Sequence, residues 1–297
     1  VTDPSSPEPS GLYDRVAIVT VTYNSAEQLD EFLGSLEASE PTHQQVYVAD
    51  NNSSDIDRVR DIARAHDATL VPLATNKGYG GAVNSATSAL PTSVDAILVV
   101  NPDVTFHDGA VRELLAGLDR HPTAGAVGPR VLEADGSTYP SARELPSLRT
   151  GVGHALFARV WPGNPWTMRY RVESGDAYIE REAGWLSGSC MLVRRTAFDQ
   201  LGGFDEGYFM YFEDVDLGYR LRKHGWDNVY VPRAVVNHSG AHSTSRDSVR
   251  MVRAHHASAY HFLSKKYAGW YFAPLRWAIR FGLSVRSSWL TRGESRR

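Results

Sequence analysis

Cysteine is nearly absent from this chain of 297 residues, where Cys190 stands alone. No intrachain disulfide is possible, and a lone thiol inside the apolar run "CMLV" reads as buried and inert. Long apolar runs are missing as well. No stretch approaches the roughly 18 uninterrupted apolar residues that a membrane span needs. The opening "VTDPSSPEPSG" has neither a basic n-region nor an apolar h-region. A cytoplasmic protein with a disordered tail over residues 1–14 is expected. A strong charge of one sign is also lacking: the formal net charge is −3, and no nucleic-acid partner is expected. That figure conceals an asymmetry. Residues 265–297 carry eight Lys/Arg against one acid, Glu294, giving +7 and leaving −10 on the first 264 residues. A cationic end on an acidic body points to an anionic surface as partner.

What is present suits a soluble globular protein, with 42% hydrophobic and 22% charged residues. The length allows one large domain or two smaller ones. Strand and helix patterns alternate. "RVAIVTVTY" (15–23) is a β-branched strand, and Asn24 or Ser25 is placed to cap a helix with Leu29, Phe32, Leu33 and Leu36 on one face. There follow strand "QVYVAD", a helix from about Asp55 with Val59, Ile62 and Ala63 inward, strand "ATLVPL", and a helix from about Gly80. Strand "AILVVN" and a helix carrying Val111, Leu114, Leu115 and Leu118 complete the series. Such interleaving predicts βαβ units and a largely parallel α/β sheet flanked by helices. These sheets bind ligands beyond the carboxyl ends of their strands. Tyr23, Asp50 and Asp103 fall at three such exits, in "TVTYN", "VADNNSSD" and "VVNPDV". Asp and Asn also cap turns at strand exits, so each aspartate alone reads either way; three on one rim favour a site.

A second dense patch spans residues 184–226, "GWLSGSCMLVRRTAFDQLGGFDEGYFMYFEDVDLGYRLRKHGW". It starts with a strand at about 185–193, turns at Gly202 and Gly203, and crosses the aromatic run "YFMYF". Glu213, Asp214 and Asp216 then open a helix in which Leu217 and Leu221 form an i,i+4 pair. Acids in a first helical turn also suit the macrodipole. Beside an aromatic stretch they would form a carboxylate cluster at an apolar edge, a setting that raises a pKa and suits a general base.

The succession "TYN", "DNNSSD", "NKGYGGAVN", "NPDV", "GGFDEGYFMYFEDVDLGYRL" and "VVNHSGAHS" resembles the family-2 glycosyltransferases over about residues 15–246. Six weak motifs in the right order make a specific signal. The resemblance implies a GT-A fold with a nucleotide-binding half over 15–104 and an acceptor half over 105–246; the charge and spacing beyond it predict a basic amphipathic helical region over 247–297. It implies inversion at the anomeric centre. "GSTYPSARELPSL", "WPGNPW", "GWLSGSC" and "AHSTSR" are similar to the actinobacterial rhamnosyltransferases. That likeness implies transfer of L-rhamnose from dTDP-rhamnose to N-acetylglucosaminyl-diphospho-decaprenol in cell-wall linker synthesis. The alternative is another dTDP- or UDP-sugar and a different glycan or lipid acceptor.

Carried over by position, the resemblance gives Asp103 the last acid of the DxD motif, holding Mg²⁺ or Mn²⁺ against the donor diphosphate. Asn101 replaces the first acid, which departs from that pattern. Asp50 corresponds to the acid that accepts from N3 of a uracil or thymine ring, and Tyr23 to a residue packing on the base. Thr22 and Asn52 share those exits, and Asn76, Lys77 and Gly78 lie along the nucleotide. His238 completes the metal or diphosphate site, with Arg246 beside it. Asp214 corresponds to the catalytic base, and Glu213 tunes it or holds the acceptor; Asp216 is expected to support the helix start. Trp185 offers an indole face to the acceptor sugar, or packs in the core. The loop 161–171, "WPGNPWTMRYR", is expected near the acceptor.

Trp277, Phe281, Val285 and Trp289 recur every four residues, with Arg276, Arg280 and Arg286 off that stripe. The expectation is a helix lying on the inner membrane surface, with packing on the domain or a dimer contact as alternatives. His238 and His242 give H-x₃-H, but no third ligand falls at a structural-zinc spacing. A dinucleotide oxidoreductase is disfavoured because "GYGGAV" lacks the third glycine and comes late in the sheet. A pyrophosphorylase would want a glycine-rich loop where "TYNSAEQ" stands. A non-catalytic binding protein is the remaining rival.

Overall fold

The computed structural model describes residues 13–40, 45–146, 176–239 and 248–282. Strand β1 (Val16–Thr22) is buried along its whole length, as a β-branched strand covered on both faces should be. It pairs in parallel with β2 (Gln45–Asp50) and β4 (Ala96–Val100), and β2 pairs in parallel with β3 (Thr69–Pro72). Helices α1 (Ala26–Ser39), α2 (Ile56–Ala65) and α3 (Gly78–Thr87) alternate with them. The predicted faces are buried: Leu29, Phe32, Leu33 and Leu36 in α1, Val59 and Ala63 in α2, with Ile62 packed at the edge.

Three local expectations shift. Neither Asn24 nor Ser25 caps α1 with its side chain; Asn24 accepts instead from the N–H and hydroxyl of Ser54, both at 2.8 Å. Helix α3 starts at Gly78, two residues before Gly80, because Asn76 Oδ1 accepts from the Gly78 N–H at 2.9 Å and organises the entry. Tyr13, expected in the tail, is buried and donates its hydroxyl to Glu40 at 2.7 Å.

Beyond β4 the sheet is mixed. β5 (Val104–Phe106), α4 (Ala110–Arg120) and β6 (Ala124–Leu132) are followed by the short strands β7 (Thr138–Tyr139) and β8 (Ala142–Arg143). β9 (Arg181–Ala183), β10 (Trp185–Leu186), β11 (Cys190–Arg194), α5 (Arg195–Leu201), α6 (Glu213–Lys223) and β12 (Asp227–His238) complete the domain. The path through the sheet is β3-β2-β1-β4-β11-β6-β12-β5. β11 runs antiparallel between β4 and β6, while β12 runs parallel to β6 and antiparallel to β5. The parallel arrangement therefore covers the first four strands of the path.

The single strand expected over 185–193 is two. β10 pairs with β8 in a separate ladder, and β11 joins the main sheet. The break comes where the Ser187 N–H donates to Ser141 O and the Gly188 N–H turns to the Asp214 carboxylate at 2.9 Å. Cys190 is buried, and burial pushes its thiol well above the ordinary range. Helix α7 (Ser248–Lys266) lies on α6, with Phe262 fully buried beside Tyr208 and Val215. A turn at Trp270–Phe272 leads to a last helix, α8 (residues 273–282).

Candidate active site

The carboxyl ends of β1, β2 and β4 meet the start of α6 along one rim. Asp50 is 1% exposed and accepts from the Thr22 hydroxyl and the Ser53 N–H, both at 2.9 Å. Its carboxylate is thereby locked at the strand end. Asn52 is exposed with φ 65°, whereas its neighbour Asn51 is buried and bonded at both ends of its amide. Asn51 Nδ2 donates to Gly78 O at 3.0 Å, and its Oδ1 accepts from the Lys77 N–H at 2.8 Å. Asn51 thus holds the loop of Asn76, Lys77 and Gly78 beside β2. Gly78 sits at φ 75°, and a Cβ there would lie 2.2 Å from the Phe209 carbonyl oxygen, so only glycine permits this approach. The Lys77 ammonium reaches the Ser85 hydroxyl at 3.1 Å on the surface. Tyr23 is 52% exposed at the β1 exit.

At the β4 exit, the Asn101 N–H donates to Ser189 O at 2.9 Å. Asp103 follows, with His238 Nε2 at 3.2 Å from its Oδ1. That oxygen is buried and accepts no well-formed hydrogen bond, which leaves a carboxylate lone pair aimed beside an imidazole nitrogen. Among the described residues no group of three or more His, Cys, Asp or Glu is arranged to hold a metal ion by itself. A two-residue donor set suits a hard cation that takes its other oxygens from a diphosphate and water. The residues present fit a divalent ion in that limited sense.

The aromatic run places the acids. Tyr211 and Phe212 have φ 69° and 67°, a left-handed pair of bulky residues that is strained. The run is held by the Ser258 hydroxyl, which donates to Met210 O at 2.8 Å. The chain then enters α6 with Glu213 buried and Asp214 half-buried. Asp214 accepts from the Gly188 N–H at 2.9 Å and the Val215 N–H at 2.7 Å. Burial raises its pKa against those bonds and against the charge of Arg143. Glu213 is raised by burial and by Asp214 beside it, and its Oε2 has no hydrogen-bond partner.

Tyr79, on the first turn of α3, joins the two clusters. Its hydroxyl donates to Gly188 O at 2.7 Å. Its own ionisation is suppressed by burial first, then by the charges of Glu213, Asp214 and Asp103. Gly188 and Ser189 thus link the β4 exit, through the Asn101 N–H, to the start of α6, through Asp214. A family model described as "Glycosyltransferase like family 2" matches residues 14–273. This chain is a family-2 glycosyltransferase.

The N-acetylglucosaminyl-diphospho-decaprenol L-rhamnosyltransferase of Mycobacterium tuberculosis is 47% identical over 295 residues, covering 96% of each chain. Rhamnosyltransferase WbbL of Escherichia coli is 26% identical over 258 residues, 84% of this chain and 93% of that one. Among solved structures, the mannosyltransferase PcManGT from Pyrobaculum calidifontis, in complex with GDP-Man and Mn²⁺, matches with a TM-score of 0.60 at 18% identity. It covers 93% of this chain and 71% of its own. GalNAc-T7 with UDP, GalNAc and Mn²⁺ matches with a TM-score of 0.55 at 14% identity, covering 80% of this chain and 48% of that one. The glycosyltransferase has the GT-A architecture of these neighbours, with a helical C-terminal region.

Several site residues of the glycosyltransferase carry signals too weak to find in sequence. Asn51 is indistinguishable from Asn52 until one of them is buried. Tyr79 lies in a motif whose glycines draw attention away from it. Asp216 does more than support a helix start: it is fully buried and accepts from Arg220 Nε and Lys265 Nζ, both at 2.6 Å, and from the Tyr208 hydroxyl at 3.2 Å. Trp185 is half-buried against α6, with its Nε1 donating to Glu144 O at 3.1 Å. Arg246, His242, the 161–171 loop, Val285, Arg286 and Trp289 lie outside the described residues.

Proposed function

We propose that this glycosyltransferase moves L-rhamnose from dTDP-L-rhamnose to a hydroxyl of GlcNAc-diphospho-polyprenol in building the cell-wall linker, inverting the anomeric centre in one displacement. The observation that carries the chemistry is the Gly188–Ser189 segment, which bonds the β4 exit through the Asn101 N–H and the start of α6 through the Asp214 carboxylate. The substrate pair is supported by the near-full-length relative whose name gives that donor sugar and acceptor. On this reading residues 15–104 hold the nucleotide and 105–246 the acceptor. Asp50, with Thr22 fixing its carboxylate, accepts from N3 of thymine, and the exposed Tyr23 ring packs on the base. Asn52, Asn76, Lys77, Gly78 and Asn101 line the donor, and Arg246 joins its diphosphate.

Asp214 removes the proton from the acceptor hydroxyl as that oxygen attacks C1 of the donor sugar; the C1–O bond to the diphosphate breaks and dTDP leaves with the bonding electrons. The N–H groups of Gly188 and Val215 aim the carboxylate, and burial keeps it basic. Asp103 and His238 would hold a divalent cation, Mg²⁺ or Mn²⁺, whose charge would offset that of the departing diphosphate. Trp185 and Glu213 flank the acceptor sugar.

The enzyme also meets its lipid acceptor at a membrane surface on this proposal. Trp270 is 85% exposed and Trp277 and Phe281 are each 73% exposed, on the cationic segment that follows α7. Among the described residues no helix is long and apolar enough to cross a membrane, so contact is peripheral, on the inner face. The test is a panel of dTDP-, UDP- and GDP-sugars with a divalent cation and a lipid-diphospho-GlcNAc acceptor, with products resolved by mass. A rhamnosylated product from dTDP-L-rhamnose is expected. Transfer from a UDP-sugar alone would overturn the donor assignment.

A further inference from the structure

The strap formed by residues 139–146 presents an arginine that none of the roles above uses. Arg143 on β8 lies directly opposite Trp185 on β10. Trp185 sits against α6 because Gly218, one turn beyond Asp214, has no side chain; a Cβ there would fall 2.7 Å from Trp185 Cβ. The Arg143 guanidinium lies over two rings, 5.2 Å from the Tyr139 centroid and 5.7 Å from the Trp185 centroid. Its Nε donates to Pro140 O at 2.7 Å, and its terminal nitrogens have no hydrogen-bond partner among the described residues. No carboxylate among the described residues forms a salt bridge with it.

The strap is pinned on both sides of this arginine. Arg181 Nη2 donates to Ala142 O at 3.2 Å, and Lys266 Nζ donates to Pro146 O at 2.6 Å. The guanidinium is thus fixed before any ligand arrives, so little rotamer freedom is lost on binding. Arginine is weakly hydrated, stacks on aromatic faces and presents a planar fork that matches phosphate oxygens. Its partner Trp185 packs on α6 one turn beyond Asp214, and the charge of Arg143 opposes the effect of burial on that acid. A sugar bound between Asp214 and Trp185 would have this guanidinium as a neighbour, since Arg143 lies opposite Trp185.

We propose that the free fork of Arg143 binds the diphosphate of the acceptor, so that the anionic leash is gripped beside the indole on which the sugar rests. This rests on the acceptor reading above and extends it to a recognition residue. Arg143 thereby separates a lipid-diphosphate sugar from a neutral glycoside bearing the same hydroxyl.

The experiment compares the full-length native enzyme and Arg143→Met on two acceptors, GlcNAc-diphospho-polyprenol and a neutral alkyl GlcNAc glycoside, with dTDP-L-rhamnose as donor. Loss of a charge-assisted fork is expected to raise the KM for the diphosphate acceptor and cut its kcat/KM advantage over the glycoside by about 10- to 100-fold. An equal loss on both acceptors would overturn the proposal and assign Arg143 to support of Asp214. A raised KM for the donor with an unchanged acceptor ratio would overturn it in favour of the donor diphosphate. Native enzyme that uses neither acceptor would overturn the acceptor reading, and this inference with it. Arg143→Lys keeps the charge without the fork and serves if Arg143→Met does not fold. It should lose the same selectivity in smaller measure, and unchanged selectivity would refute the proposal.

Discussion

Two adjacent buried carboxylates cannot both ionise cheaply, and the partners of Glu213 and Asp214 decide which one carries the charge. Asp214 accepts two backbone N–H bonds and feels Arg143, while Glu213 Oε2 accepts none. The negative charge therefore rests on Asp214 and the proton on Glu213 near neutrality. The consequence for stability has a definite sign. In the unfolded chain Glu213 releases its proton near 4.5, as a free glutamate does, whereas the folded chain retains it to higher pH. Stability from this group is full below the unfolded value and is lost as pH rises through the folded one. Glu213→Gln copies the protonated form, so thermal unfolding should show it more stable than the native enzyme at alkaline pH and equal to it at acid pH. A lower melting temperature at alkaline pH would contradict this assignment. The motif "EDVD" made an acid cluster legible, but its division of labour was not. Whether a carboxylate faces a cleft or a lysine forty-nine residues away depends on packing that no local pattern encodes.

That lysine sets the next scale, where α7 is tied to α6. Lys265 Nζ lies 2.6 Å from both Asp205 Oδ2 and Asp216 Oδ1, and Arg220 meets the other oxygen of Asp216 at 2.6 Å. Asp216 has no exposed surface, so removal of one cation leaves buried charge under-compensated. Lys265→Met should destabilise the fold towards the low end of ~3–5 kcal/mol, because Arg220 still faces Asp216. Denaturant titration measures it, and an unchanged midpoint would sink the clamp. Elements with strong periodicity were legible: the buried faces of α1 and α2 and the first strands follow from apolar spacing alone. The split of β10 from β11 was not, because it arises where Gly188 gives its N–H to a helix residue twenty-six positions on. Nor was the antiparallel insertion of β11, since strand neighbours across a long excursion leave no mark in local composition.

Across the whole molecule, one sheet carries Asp50 and Asp103 at the exits of its parallel strands, α7 lies on α6, and aromatic side chains continue outward on α8. The charge asymmetry read from sequence persists there, though Arg276 gives two hydrogen bonds to Tyr267 O and Gly269 O at 2.7 and 2.8 Å and so braces the turn rather than standing free. A truncation after Ser264 would remove Lys265 and loosen α6, so surface substitutions make the cleaner membrane test. Replacing Trp270, Tyr271, Trp277 and Phe281 by serine should abolish sedimentation with anionic liposomes while leaving the melting temperature in place. Undiminished sedimentation would remove the membrane claim. The most direct test of the account is Asp214→Asn, assayed for rhamnosyl transfer and for dTDP affinity in parallel. Turnover should fall by about 10²–10⁴-fold, the range for loss of a positioned base, with dTDP binding intact. Turnover within a few-fold of native enzyme would contradict Asp214 as the base.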